Sequence, residues 1–202
     1  MVNTIVFDIG NVLAAFCWQK MLHGFGLEGE AFERMADATV RHQGWLDLDQ
    51  GIITTEEAIE MFAEAAPEYR HLIERIYEDP TQMIQQYDYT IPWIKELKER
   101  GYKIYILSNW SVPAYDACLD NALNFLPLVD GVVFSFEEKV IKPDQKIYDI
   151  LCKRYDINPS EAVFLDDSKP NIIAAREYGL HAIHFTSYEE GRAELEELLA
   201  NK

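Results

Sequence analysis

The stretch TIVFDIGNVL, residues 4–13, decides the fold. Thr4 to Phe7 form a short apolar, β-branched run with no polar interruption, as a parallel strand buried on both faces does, and the run stops at Asp8. Downstream the same unit recurs. Ile91 to Arg100 has the periodicity of an amphipathic helix closed by Gly101, and Lys103 to Leu107 is the next strand. Gly131 to Phe134 is a third strand, and Asp144 to Tyr155 a helix that follows Pro143. Ala162 to Leu165 is a fourth strand, Asn171 to Tyr178 a helix stopped by Gly179, and His181 to Phe185 the last strand. Ser187 and Glu190 form a capping box for a C-terminal helix. This alternation predicts an α/β fold, a doubly wound parallel sheet.

Between Ala15 and Gln86 the strands vanish and helical periodicity takes over. Ala31 to Val40 and Glu57 to Ala66 carry apolar residues at helical spacing, the second behind a Thr54/Glu57 capping box. An insertion of roughly 70 residues is too long for a loop. The expectation is a small all-helical domain over 15–86, inserted after the first strand of a core made of 1–14 and 87–202.

Composition narrows the function. A net charge of −17 repels phosphate backbones and anionic lipid, which argues against nucleic acid and membrane partners. It permits a phosphorylated small molecule, because a bound cation reverses the field inside one pocket. Cys17, Cys118 and Cys152 form no CxxC pair and suit a reducing compartment. The first residues, MVNTIVFDIG, have no basic leader and enter a core strand at once. A cytoplasmic enzyme is the expectation.

Ligands of open α/β sheets bind at the carboxyl ends of the strands. The first strand ends at Asp8, with Gly10 and Asn11 behind it; the second at Ser108 and Asn109; the fourth at Asp166 and Asp167, with Asn171 close by. Lys142 precedes Pro143 and a helix. Three carboxylates on one rim resist joint ionisation unless a cation sits among them, and magnesium is the natural occupant because it prefers oxygen ligands. Asp8 could then serve as ligand and as nucleophile through an aspartyl-phosphate, with Ser108 and Lys142 on the phosphoryl oxygens. Asn11 and Asn109 stand beside these positions as substrate contacts. Trp110 follows the second strand, and Trp18 and Trp45 lie on the insertion; each is a candidate substrate contact whose rival reading is ordinary core. His181 and His184 fall on opposite faces of a strand and read as structural, and the acidic run Glu189 to Glu197 as a solvated helix face.

The segments FDIGNVL, ILSN, VIKP and FLDDSKPN, in this order, resemble the signature motifs of the haloacid dehalogenase superfamily across nearly the whole chain. The resemblance is to the branch with a helical cap after the first strand of a Rossmann-like core. FDIGNVL is similar to α-glucose-1-phosphatase-like phosphatases, and DQGIITTEEA and VFLDDSKPNIIAAREYG resemble the phosphatase domain of soluble epoxide hydrolases. It implies a magnesium-dependent phosphatase of a small metabolite, a sugar phosphate being the expected class. It makes Asp8 the nucleophile and a metal ligand, and has Gly10 offer its backbone carbonyl to the metal. Ser108 and Lys142 would bind phosphate, Asp167 would ligate magnesium directly and Asp166 directly or through water, with Asn171 supporting the pair.

One position departs from the pattern. The family usually carries a second aspartate two residues after the nucleophile, which protonates the leaving group; here that position is Gly10. General acid catalysis is worth about 10²–10⁴-fold, so its loss weighs most on poor leaving groups. An acid from the insertion, or water, would have to replace it. A non-catalytic phosphometabolite-binding protein is therefore the alternative. A 2-haloacid dehalogenase needs no metal and leaves the Asp166/Asp167 pair unexplained. A receiver domain carries its acidic pair on the first strand, the reverse of the order here.

Overall fold

The computed structural model describes residues 1–200. Strand β1 (Thr4–Phe7) is fully buried and occupies the centre of a five-stranded sheet. On one side of it lie β4 (Lys103–Ser108) and then β5 (Gly131–Phe134); on the other, β6 (Ala162–Asp166) and then β7 (His181–His184). All four pairings are parallel. Side chains alternate between faces as the strand period requires. Ile5 and Phe7 join one hydrophobic core with Ile104, Ile106, Val163 and Leu165, while Val6 joins the other with Tyr105, Leu107 and Phe164. The first face is covered by α6 (Thr90–Glu99) and α11 (Tyr188–Ala200), where Trp93 sets its edge against the Phe7 ring at 4.8 Å. The second is covered by α9 (Gln145–Arg154) and α10 (Lys169–Tyr178).

The chain runs from β1 outward to β4 and β5, then returns past β1 to β6 and β7. Connections therefore leave β1 and β6 in opposite directions, which opens a crevice at the carboxyl ends of these two strands. Phe7 pairs with Leu165, and Asp8 N donates to the Leu165 carbonyl at 2.9 Å. The next residue on each strand is an aspartate, so register alone sets Asp8 beside Asp166.

The insertion contains α1 (Trp18–Gly24), α2 (Gly29–Ala38), α3 (Gln43–Asp49), α4 (Thr55–Ala65) and α5 (Arg70–Glu78), around a core of its own that includes Leu22, Met35, Phe62 and Ile73. The capping box at α4 is made in both directions, Glu57 N to Thr54 Oγ1 and Thr54 N to the Glu57 carboxylate. A ribbon absent from the sequence reading closes the insertion: β2 (Ala14–Phe16) pairs antiparallel with β3 (Ile84–Gln86). Three residues a side are too few to print a period of two on the sequence. Helices α7 (Val112–Cys118) and α8 (Ser135–Glu138), short pieces after β4 and β5, also escape the sequence reading. Of the second capping box only half forms: Ser187 Oγ caps Glu190 N, but the Glu190 carboxylate turns to Thr186. The three cysteines are unpaired. Among the described residues, no helix is long and apolar enough to cross a membrane.

Candidate active site

The crevice brings Asp8, Ser108, Lys142, Asp166, Asp167, Asn109 and Asn171 together. Asp8 Oδ1 accepts from Ser108 Oγ at 2.7 Å and lies 2.8 Å from Lys142 Nζ. The same ammonium is 2.7 Å from Asp166 Oδ2 and donates to the Leu107 carbonyl at 3.0 Å, so its three protons are all placed. Burial opposes the Lys142 charge, yet the Asp166 and Asp8 carboxylates carry its pKa above the ordinary lysine value. Burial also pushes the Asp8 carboxyl up to about 6 against the pull of Lys142, with the Asp166 charge adding to the rise.

Asp166 is fully occupied. Its oxygens accept from Ser168 N at 2.7 Å, from Asn171 Nδ2 at 3.0 Å and from Lys142. Asn171 thus lies behind the pair as support. Asp167 is less buried; its Oδ2 accepts from Asn11 Nδ2 at 2.8 Å, and its carbonyl accepts from His184 Nε2 at 2.9 Å. His184 is structural, as its place on β7 suggests, and it acts on the backbone of a site residue. Burial raises the Asp167 pKa, the Asn11 hydrogen bond lowering it in part. One oxygen each from Asp8, Asp166 and Asp167 fall within 4.8 Å of one another. An all-oxygen donor set with this much negative charge suits a hard divalent cation.

Two residues expected to touch substrate have their side chains engaged elsewhere. Asn11 sits at φ +55, a left-handed turn that asparagine tolerates, and its Oδ1 accepts from Phe16 N while its Nδ2 holds Asp167. Asn109 clamps the backbone of Lys142, its Oδ1 accepting from Lys142 N at 2.8 Å and its Nδ2 donating to Lys142 O at 3.1 Å. Both still line a cavity of about 200 Å³ above Asp8, with Gly10, Asp167, Trp45 and Trp110. Ser108 and Lys142 do not; they reach it through Asp8. Nor does Trp18, which stacks on Phe32 at 5.6 Å inside the insertion.

Sequence reasoning missed Asp49. It ends α3, one helical turn after Trp45, so both face the cavity. Burial pushes its carboxyl up to about 7; the Trp45 indole pulls the other way and the Asp8 charge adds to the rise. Three contacts hold this segment to the core: Ser135 Oγ donates to Asp49 O, Gln50 Nε2 donates to Lys139 O at 2.8 Å, and Lys139 Nζ donates to Gly51 O. Ser135 Oγ also accepts from Trp110 N at 2.9 Å, tying the two cavity walls through one buried hydroxyl.

A parallel sheet with an acidic crevice at its switch point and a helical insertion above it defines a class of hydrolase, and the comparisons agree. Residues 2–179 match the haloacid dehalogenase-like hydrolases, and the chain belongs to that family. It is 29% identical to acyl-CoA dehydrogenase family member 10 of Mus musculus over 98% of this chain, of whose length it spans only 19%. It is 23% identical to the sesquiterpene phosphatase astK of Aspergillus oryzae, over 96% of this chain and 95% of that one. The fold matches a family enzyme of Bacteroides thetaiotaomicron, solved as wild-type protein in complex with magnesium and inorganic phosphate (TM-score 0.76, 19% identity, 94% of this chain and 98% of that one).

Proposed function

We propose that this hydrolase is a magnesium-dependent phosphatase of a small phosphorylated metabolite, with Asp8 as the nucleophile. The observation that carries the reading is the carboxylate cluster: three acids within 4.8 Å, with a buried lysine bridging two of them. Asp8, Asp167 and the Gly10 carbonyl would hold the metal; Asp166, with both oxygens already accepting, would act through water. Magnesium there supplies charge neutralisation for the phosphoryl oxygens.

Ser108 and Lys142 fix one oxygen of Asp8 and leave the other to attack phosphorus. In the same step Lys142 offsets charge spreading over the phosphoryl group. The helical insertion, 15–86, serves as a cap that walls the cavity and excludes water. The astK phosphatase and the bacterial enzyme bound to magnesium and phosphate support this chemistry by kinship.

The walls speak to the leaving group. Ala14, Ala15, Phe16, Trp45, Ile84 and Trp110 are apolar or aromatic, and the Asn11 and Asn109 side chains are engaged elsewhere. Besides the acids, the Ser111 hydroxyl is the polar side chain of this lining left for the hydroxyls of a sugar. A compact leaving group with an apolar face fits better than a polyhydroxylated sugar.

The test is turnover of a panel of phosphomonoesters with magnesium, with and without chelator, for wild type and Asp8→Asn. Release of phosphate that needs magnesium and vanishes in the variant supports the reading. Equal release in both proteins overturns it, and no release from any ester favours a binding protein.

A further inference from the structure

Breaking a phosphomonoester puts the bonding electron pair on the leaving oxygen, which a positioned acid must protonate if it is an alkoxide. Among the described residues, the core supplies no such acid to the cavity. Asp8, Asp166 and Asp167 are committed to the charge cluster, and position 10 is glycine. Space is not the reason: a Cβ built on Gly10 meets nothing within 4 Å. Among the described residues lining the cavity, the titratable side chains are Asp8, Asp167 and Asp49, so Asp49 alone stands outside the cluster.

Resting on the phosphatase reading, we propose that Asp49, delivered by the helical insertion, is the proton donor to the leaving oxygen and the base for the water that follows. The Asp8 oxygen bonds to phosphorus as the ester P–O bond breaks. The electron pair goes to the leaving oxygen, and the Asp49 proton joins it to give the alcohol. The Asp49 carboxylate then takes a proton from water as that oxygen bonds to phosphorus. The bond to Asp8 breaks, inorganic phosphate leaves, and both aspartates return to their starting states.

Two independent features suit Asp49 to this work. One is the anchoring to Ser135 and Lys139, which fixes its backbone against the core although it belongs to the insertion. The geometry is reinforced at Gly51, held at φ +69, where a Cβ would lie 2.5 Å from the Phe136 carbonyl oxygen. The other is its carboxyl, pushed up to about 7 by burial, which can hold a proton and give it up near neutrality.

The test is single-turnover release of the leaving group from p-nitrophenyl phosphate and from a simple alkyl phosphate, by wild type, Asp49→Asn and Asp49→Asn/Gly10→Asp. Nitrophenolate needs no proton to leave, so the single variant should keep its release within about tenfold of wild type. Alcohol release should fall by about 10²–10⁴-fold. Gly10→Asp should recover a large part of that loss, which a misfolded variant would not allow. A loss equal for both esters, or no loss for either, overturns the role of Asp49 while leaving the phosphatase reading intact. A wild type inert towards both overturns the phosphatase reading itself.

Discussion

The sheet rim and the helical insertion build one cavity by opposite means. At the rim, chemistry is fixed by backbone register: β1 and β6 are parallel neighbours, so Asp8 and Asp166 meet wherever Phe7 pairs with Leu165. Charge there is dense and largely buried, with the Lys142 ammonium set against three carboxyls. In the insertion, one acid among the described residues, Asp49, faces the cavity, and hydrogen bonds to Ser135 and Lys139 hold its segment there. Under the proposed chemistry the rim sets what reaction is possible, and the insertion sets which esters undergo it.

Breaking the rim should cost most. Lys142→Met removes the ammonium between Asp8 and Asp166 and leaves two buried carboxyls facing each other. The metal-free protein should lose about 3–5 kcal/mol in urea unfolding, and magnesium should restore part of it by neutralising the same charges. A change below about 1 kcal/mol would show that the compensation is not concentrated in that one lysine.

Breaking the anchor of the insertion should cost less. Gly51→Ala places a Cβ against the Phe136 carbonyl at a positive φ, a strain of about 1–3 kcal/mol. Single-turnover release of alcohol from an alkyl phosphate should fall about tenfold, release of nitrophenolate from p-nitrophenyl phosphate much less, and the unfolding of the sheet core should change little. An equal fall for both substrates would mean that the anchor holds the whole site rather than the acid.

The smallest effect sharpens the comparison through pH. The Asp49 pKa, about 7 in the fold, lies above the value of about 3.9 for an unfolded aspartate. Between these values the native state holds a proton that the unfolded chain has released. The stabilisation is complete below about pH 4 and is lost as pH rises through 7. Burial raises this pKa, the Trp45 hydrogen bond opposes the rise and the Asp8 charge adds to it. Asp49→Asn should therefore stabilise the metal-free protein at pH 8 by about 1–2 kcal/mol, discounted for the part of Asp49 open to water, and leave pH 4 unchanged. Denaturant melts at the two pH values read the difference; a variant destabilised at pH 8 would contradict it.

The same division explains what the sequence could tell. The strands β1, β4, β5, β6 and β7 are legible because each is built on a short apolar run, and the polar residues at the carboxyl ends of β1, β4 and β6 reach the crevice by topology. Asp8, Ser108, Asp166 and Asp167 follow from that rule. Asp49 obeys no such rule. It ends a seven-residue helix and is one of 35 acidic residues, most of which a reader assigns to solvent. Only tertiary contacts single it out. Trp18 and Trp45 make the same point: both pack half-buried against the core of the insertion, yet Trp45 lines the cavity and Trp18 stacks on Phe32 instead, a division that no local pattern records. Asn11 and Asn109 were visible by position, but their engagement with Asp167 and Lys142 depended on geometry across the chain.

Attack of Asp8 on phosphorus is the step on which the proposed function turns. Its most direct measurement is acid-quenched trapping of the enzyme during turnover of a radiolabelled phosphomonoester with magnesium, followed by mapping of the labelled peptide. An acyl-phosphate is expected on the peptide containing Asp8, absent from Asp8→Asn, whose turnover falls by at least about 10⁴-fold. Label on any other residue, or full turnover with no covalent phosphate at Asp8, would contradict it.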